Sequence, residues 1–125
     1  GDALGISFQI TDDLLDYAGE SSDLGKSVGD DFRERKMSLP LIKVLTQADQ
    51  KEKDFWIRTI EKGEQQDGDL DYALELMIKH DALEATRRDA LYWANKAKQA
   101  MNTLPESEIR NTLMDLPDYV VRRIT

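Results

Sequence analysis

Three carboxylates fall within five residues, Asp12, Asp13 and Asp16, in the segment Phe8-Gln9-Ile10-Thr11-Asp12-Asp13-Leu14-Leu15-Asp16. No glycine or proline interrupts that segment, and it is otherwise largely apolar. On a helix, side chains four apart share a face, so Asp12 and Asp16 point the same way and Asp13 lies about 100° round. Gln9 stands one turn before Asp12 and Asp13 and flanks the same patch. Its amide can donate and accept, whereas ionised carboxylates only accept. Crowded carboxylates repel one another, and a cation relieves them. Hard oxygens suit Mg²⁺, which keeps waters and commonly bridges one or two carboxylates to substrate phosphates. Alone, an Asp-Asp-x-x-Asp motif reads equally well as a solvated acidic face. Here basic residues follow, Lys26 after Gly25 and then Lys36. Carboxylates for a metal, with lysines nearby as point charges, are what binding a diphosphate through Mg²⁺ needs.

The elements that must position these residues read as helices. The first buries Leu4, Phe8 and Leu15 and runs to about Ala18, with Gly19 as its stop. A polar loop, 20–31, carries Gly25, Lys26, Gly29, Asp30 and Asp31, a length more often functional than idle. A basic turn or short helix follows at 32–37. Ser38 caps the next helix, with Pro40 in its first turn and Leu39, Leu41, Ile42, Val44 and Leu45 on its apolar side. Asp49 with Glu52 forms a capping box opening a helix through Phe55, Trp56 and Ile60, ended by Gly63. Asp69 starts a helix carrying Leu70, Ala73, Leu74, Met77 and Ile78. Asp81 with Glu84 opens the longest, whose Leu83, Thr86, Ala90, Trp93, Ala94, Ala97 and Met101 recur at helical spacing. The last, from near Ser107, carries Ile109, Leu113, Leu116, Val120 and Val121, and Pro117 predicts a kink or break near 113–116. Nothing alternates like a strand. The chain reads as all-α, about six helices, in one domain over residues 1–125.

Composition narrows the function. With 17 Lys and Arg against 25 Asp and Glu, the net charge of −8 disfavours nucleic acid and anionic lipid, which need clustered cation. No cysteine is present, which excludes disulfides, zinc–thiolate sites and thiol nucleophiles and favours a cytoplasmic home. No apolar run approaches the roughly 18 residues of a membrane span, and no signal-peptide pattern is seen. An acidic helix that opens the chain with nothing before it to face reads as part of a larger protein.

The motifs taken together carry a resemblance. Phe8-Gln9-x-x-Asp12-Asp13-x-x-Asp16, then Gly25-Lys26-x-x-Gly29-Asp30-Asp31, then Lys36-x-x-Leu39-Pro40, resembles the second aspartate-rich motif and downstream loop of trans-prenyltransferases. The likeness is strongest to long-chain polyprenyl (octaprenyl or decaprenyl type) diphosphate synthases. It spans the whole chain, as the C-terminal portion of that family, and residues 116–123 resemble the family's tail more loosely. The resemblance implies an isoprenoid-synthase-type helical bundle around a deep cavity, with two aspartate-rich helices holding Mg²⁺ against an allylic diphosphate. Isopentenyl diphosphate then attacks the allylic carbocation left when the diphosphate departs. By position, Asp12 is a direct Mg²⁺ ligand, and Asp13 and Asp16 act directly or through metal-bound waters. Lys26 and Lys36 contact the diphosphate, Gln9 lines the pocket beside it, and Phe8 shapes the cavity wall. Asp30 or Asp31 fits an acidic loop position that orients Lys26. Asp12, Lys26 and Lys36 are the expected catalytic residues. The family also implies a homodimer.

Two departures stand out. The residue before Lys36 is usually glycine in the family and is Arg35 here. The first aspartate-rich motif and the basic residues for isopentenyl diphosphate precede this region in the family and are absent from the 125 residues. The expected consequence is half an active site, with no prenyl transfer by this polypeptide alone. Three rivals differ in what they predict. A non-catalytic subunit of a heteromeric synthase has no reason to keep Asp12, Asp13, Asp16, Lys26 and Lys36 together. A terpene cyclase shares the metal chemistry but not the two lysine segments. A purely structural helical module would bind no diphosphate. Other features take plain readings. Asp67-Gly68-Asp69 lacks the later residues of a calcium loop and reads as a loop and helix cap. His80 reads as a cap or surface residue, Trp56 and Trp93 as core, Arg87-Arg88 as helix surface, and Arg122-Arg123 as a frayed tail.

Overall fold

The computed structural model describes residues 2–18 and 29–124. All regular structure among them is helical: α1 (Asp2–Ala18), α2 (Asp30–Arg33), α3 (Leu39–Thr46), α4 (Gln50–Trp56), α5 (Asp69–Lys79), α6 (Ala82–Met101) and α7 (Glu108–Ile124). The all-α expectation holds, with one helix more than six because Asp30–Arg33 makes its own short turn of helix. The chain divides into two compact units, Asp13–Thr86 and Gly1–Asp12 with Arg87–Thr125.

The Asp13–Thr86 unit is built on an aromatic core. Phe55 lies stacked on Phe32 at 6.5 Å between ring centres and meets Trp56 and Tyr72 edge-on at 4.9 and 4.7 Å. Leu41, Val44, Ala73, Leu76, Met77 and Tyr17 close around them, all buried. Aromatic pairs of this geometry stabilise beyond their buried area. The apolar stripe of α5 is Ala73, Leu76 and Met77, while Ile78 turns outward and is 72% exposed, so it leaves the face assigned to it from spacing. Capping of α4 is as expected: the Glu52 amide donates to Asp49 Oδ1 at 2.9 Å, and the Asp49 amide donates back to Glu52 Oε1 at 3.1 Å. Ser38 stands at the N-cap of α3, but its side chain makes no cap bond there. The backbone of α4 continues past Trp56 as a π-helix, Ile57–Glu61, whose wider turn is seen in Lys62 N–H donating to Ile57 O at 2.9 Å. Gly63, at φ 72, then ends it where the sequence placed the stop.

In the other unit Ala97 and Met101 of α6 pack with Leu4 of α1 and with Leu113 and Met114 of α7, and Ala90 and Ala94 of the predicted stripe are buried too. Ser7 of α1 donates its hydroxyl to the Ala90 carbonyl at 3.1 Å. Small residues along α6 allow that close approach. Trp93 is only half-buried and pairs edge-on with exposed Tyr92, so it is not core. Helix α7 runs without a break through Pro117, where the sequence predicts a kink or break. Pro117 and Val120 are both buried, and that packing offsets the one lost backbone bond. Ile109, assigned to the apolar face, is 74% exposed. Helical structure extends through Arg122 and Arg123 to Ile124, so these arginines lie on a helix end and not on a frayed tail.

Candidate active site

The carboxylates of α1 reach across sequence to the segment after the polar loop. Asp13 Oδ1 lies 3.3 Å from Lys36 Nζ, and its Oδ2 accepts the Leu39 amide at 3.4 Å, the first turn of α3. Asp16 Oδ2 accepts the Asp31 amide at 3.0 Å, and the Asp16 carbonyl accepts Gly29 N–H at 2.8 Å. Asp31 adds its own carboxylate 4.0 Å from Lys36 Nζ. So two buried aspartates one turn apart on α1 hold both ends of the 29–39 segment. Burial alone would pull the Lys36 ammonium down, but the hydrogen bond to Asp13 and the charges of Asp13, Asp31 and Asp16 outweigh it and hold it above the ordinary lysine value. Lys36 is therefore a firmly charged cation, with nearly half of its side chain still open to solvent.

Beneath this group lies a residue that spacing did not suggest. Tyr17 is buried beside Asp16, Asp31 and Asp13, and burial together with those three charges raises its hydroxyl well above the usual tyrosine range. It is a neutral, dry floor for the acidic cluster.

Local backbone explains how Lys36 is delivered. Gly29, at φ 87, turns the chain into α2, and a Cβ there would stand 2.5 Å from Leu70 Cδ2. At the other end of α2, Lys36 N–H donates to Asp31 O and Arg35 N–H to Phe32 O, at 2.8 and 3.1 Å. That pair of bonds is a Schellman ending, with Arg35 at the left-handed position usually filled by glycine. Arg35 sits there at φ 62, a conformation costing a non-glycine residue about 1 kcal/mol. Glycine, which the resemblance places before Lys36, would take this conformation freely.

The remaining predicted residues lie as follows. Asp12 and Gln9 are exposed on α1. Phe8 is half-buried and packs on the Leu4, Ala97 and Met101 cluster. Lys26, with the rest of 19–28, lies outside the described residues. Asp30 is spent on Arg33, at 2.8 Å, while Asp31 faces Lys36. Asp69, from the calcium-like stretch, takes a two-pronged bond from Arg58, at 2.9 Å on each oxygen, and follows Gly68 into α5, as the plain reading expected. Among the described residues no three His, Cys, Asp or Glu side chains gather as a metal cage. The donors on α1 are all carboxylate oxygens, the chemistry of a hard cation that takes one or two of them and fills its shell with water and phosphate.

Polyprenyl synthetase is the family whose sequence model matches residues 1–77, well over half of the chain and every residue of the site just described. The chain belongs to the polyprenyl synthetase family. Among family members, the octaprenyl diphosphate synthase of Haemophilus influenzae is 36% identical over 123 residues, which are 98% of this chain and 37% of that protein. In structure, a decaprenyl diphosphate synthase from Rhodobacter capsulatus matches all of the chain with a TM-score of 0.90 and 57% identity, over 38% of its own length. A polyprenyl synthase from Caulobacter crescentus, complexed with calcium and isoprenyl diphosphate, matches 98% of the chain and 38% of its own, with a TM-score of 0.87 and 42% identity. The chain thus spans well under half the length of the polyprenyl synthetases it matches, and its helices follow the fold of those enzymes.

Proposed function

We propose that this chain forms the second aspartate-rich half of a polyprenyl diphosphate synthase, which condenses an allylic prenyl diphosphate with isopentenyl diphosphate to a longer trans-polyprenyl diphosphate. One observation supports it most. Asp13 and Lys36, 23 residues apart, meet at 3.3 Å, so a metal-type carboxylate and a diphosphate-type cation share one corner of the Asp13–Thr86 unit. Asp12, with Asp13 and Asp16 directly or through waters, would hold Mg²⁺. Bound there, the ion supplies positive charge that favours loss of diphosphate from the allylic carbon. Lys36 and Lys26 bind the diphosphate oxygens, and Lys36 needs no proton change to do so because its carboxylate neighbours keep it charged. Asp13 orients that ammonium, Gln9 lines the pocket beside the diphosphate, and Phe8 shapes the cavity wall near the five-carbon substrate. Mg²⁺ as the ion, a homodimer as the assembly and the cytoplasm as the compartment follow from family likeness alone.

Titration calorimetry tests the site. The chain is expected to bind inorganic pyrophosphate when Mg²⁺ is present and to lose at least about tenfold in affinity when EDTA removes it. Metal-independent binding would reject the metal assignment. A polypeptide of these 125 residues is expected to show no prenyl transfer from geranyl diphosphate, because it carries one aspartate-rich motif. Turnover would overturn that.

A further inference from the structure

We infer that Arg35 is a positioning residue for the diphosphate lysine: it ties the turn that carries Lys36 to the π-helical end of α4 and so fixes Lys36 opposite Asp13. The inference rests on the reading of Lys36 proposed above. Arg35 Nε donates to the Ile60 carbonyl at 2.7 Å, and Nη2 donates to the Glu61 carbonyl at 2.6 Å. The last carbonyls of any helix lack partners within it and carry the negative end of its dipole, so a guanidinium fork suits them. The other side of the joint is shaped for the same purpose. Gly63 takes φ 72, and a Cβ there would come within 3.0 Å of Arg35 Nη1 and 3.1 Å of its Cζ.

Strain sharpens the argument. Arginine is a poor choice for the left-handed position that ends α2, and glycine would adopt it freely. A side chain kept at such a place is held by what it touches, and this one touches the backbone of a segment 25 residues away. One peptide bond beyond it stands Lys36, whose ammonium meets Asp13 and approaches Asp31. A glycine at 35 would leave a free swivel directly before Lys36. Arginine replaces that freedom with two bonds. Its Nε and Nη2 donate to carbonyls, which anchors the guanidinium to the end of the π-helix one residue before Lys36.

Acylation footprinting of lysine amines on the full chain, across a range of pH, reads the proposal directly. Arg35→Gly keeps the backbone conformation without strain and removes the fork, and Arg35→Lys keeps the charge but offers one donor group to two carbonyls. In Arg35→Gly the Lys36 amine, no longer held against Asp13, is expected to label about threefold faster at fixed pH. Lys43 and Lys51 should label as in the unaltered chain. Affinity for inorganic pyrophosphate with Mg²⁺ should fall about tenfold, and Arg35→Lys should restore neither property in full. Unchanged Lys36 labelling in Arg35→Gly overturns the inference, even where the melting temperature falls, since that is the result for a merely structural arginine. Full recovery of pyrophosphate affinity in Arg35→Lys also overturns it, in favour of direct contact with the anion. If the unaltered chain binds no pyrophosphate while Lys36 labelling still responds to Arg35→Gly, the positioning of Lys36 stands and the diphosphate reading fails.

Discussion

Asp12→Ala is expected to abolish Mg²⁺-dependent pyrophosphate binding with the melting temperature within about a degree or two, whereas Asp13→Ala loses both binding and stability. The two aspartates are neighbours in sequence and opposite in surroundings. Asp12 is exposed on α1, so its removal takes a metal ligand and little packing. Asp13 is 6% exposed and accepts from Lys36 Nζ and from the Leu39 amide. Its loss strands a partly buried ammonium and a helix N-terminus at once. Lys36 is nearly half open to solvent, which screens the pair, so a cost of about 2 kcal/mol is a fair size, several degrees of melting temperature. Calorimetric titration with pyrophosphate and thermal melts on both variants give the comparison. Retained Mg²⁺-dependent binding in Asp12→Ala would remove that residue from the metal set, and an unchanged melt in Asp13→Ala would contradict the contacts that hold Lys36.

Periodicity made most of the helices legible, because a buried stripe must repeat every three or four residues whatever the partner. Of the α6 series, Thr86, Ala90, Ala94, Ala97 and Met101 are buried, while Leu83 and Trp93 are half-buried. Errors came at helix ends and around proline. Ile78 and Ile109 sit near the ends of α5 and α7 and face water. Proline lacks a donor, but one lost bond does not end a helix whose Pro117 and Val120 are both buried. The π-helical turn at Ile57–Glu61 matches none of the periodic patterns, and its last carbonyls accept from an arginine more than 20 residues earlier.

The site was legible as a set of residue types and less so as an arrangement. The helical wheel pairs Asp12 with Asp16 and sets Asp13 about 100° round, a pairing the structure overturns. The structure separates them, with Asp12 exposed and Asp13 and Asp16 turned inward to organise the 29–39 segment. No helical wheel distinguishes those outcomes, because the difference lies in what packs beside α1. The left-handed turn at Arg35 was hidden because arginine is not a residue that announces positive φ; its glycine-like role shows only in the pair of bonds that closes α2. Nothing in the spacing singles out Tyr17, whose place beside the acidic cluster is set by packing. His80, which reads as a cap or surface residue, is the C-cap of α5, and its ring also reaches a buried carboxylate.

That carboxylate, Glu52, carries the largest stability effect expected in the chain. Its side chain is 3% exposed, and both oxygens are fully engaged. Oε1 accepts the Asp49 amide at 3.1 Å, Oε2 pairs with Lys79 Nζ at 3.0 Å, and His80 Nε2 lies 2.9 and 3.1 Å from the two. Between acceptor-only oxygens, His80 Nε2 must be the donor. Burial pushes the carboxyl up, but the bonds from Lys79, the Asp49 amide and His80 outweigh it and bring it down from 4.5 to about 2. The unfolded chain therefore binds this proton more readily than the folded one. The stabilisation is fully present above pH 4.5 and is lost as pH falls from there toward about 2. That gap corresponds to about 3 kcal/mol, and roughly 2 once the exposure of Lys79 is counted against it. Glu52→Gln keeps the shape and removes the charge, so at pH 7 it should cost about 2 to 3 kcal/mol in denaturant unfolding. The decisive measurement is the difference between the two proteins as a function of pH. Other ion pairs, such as Arg58 with Asp69, titrate alike in both and cancel. The difference should shrink steadily below pH 4.5, because acid neutralises in the parent what the substitution has already removed. A difference that stays constant down to about pH 2 would mean that Glu52 contributes packing and not charge, and that the join between the start of α4 and the end of α5 is held by something else.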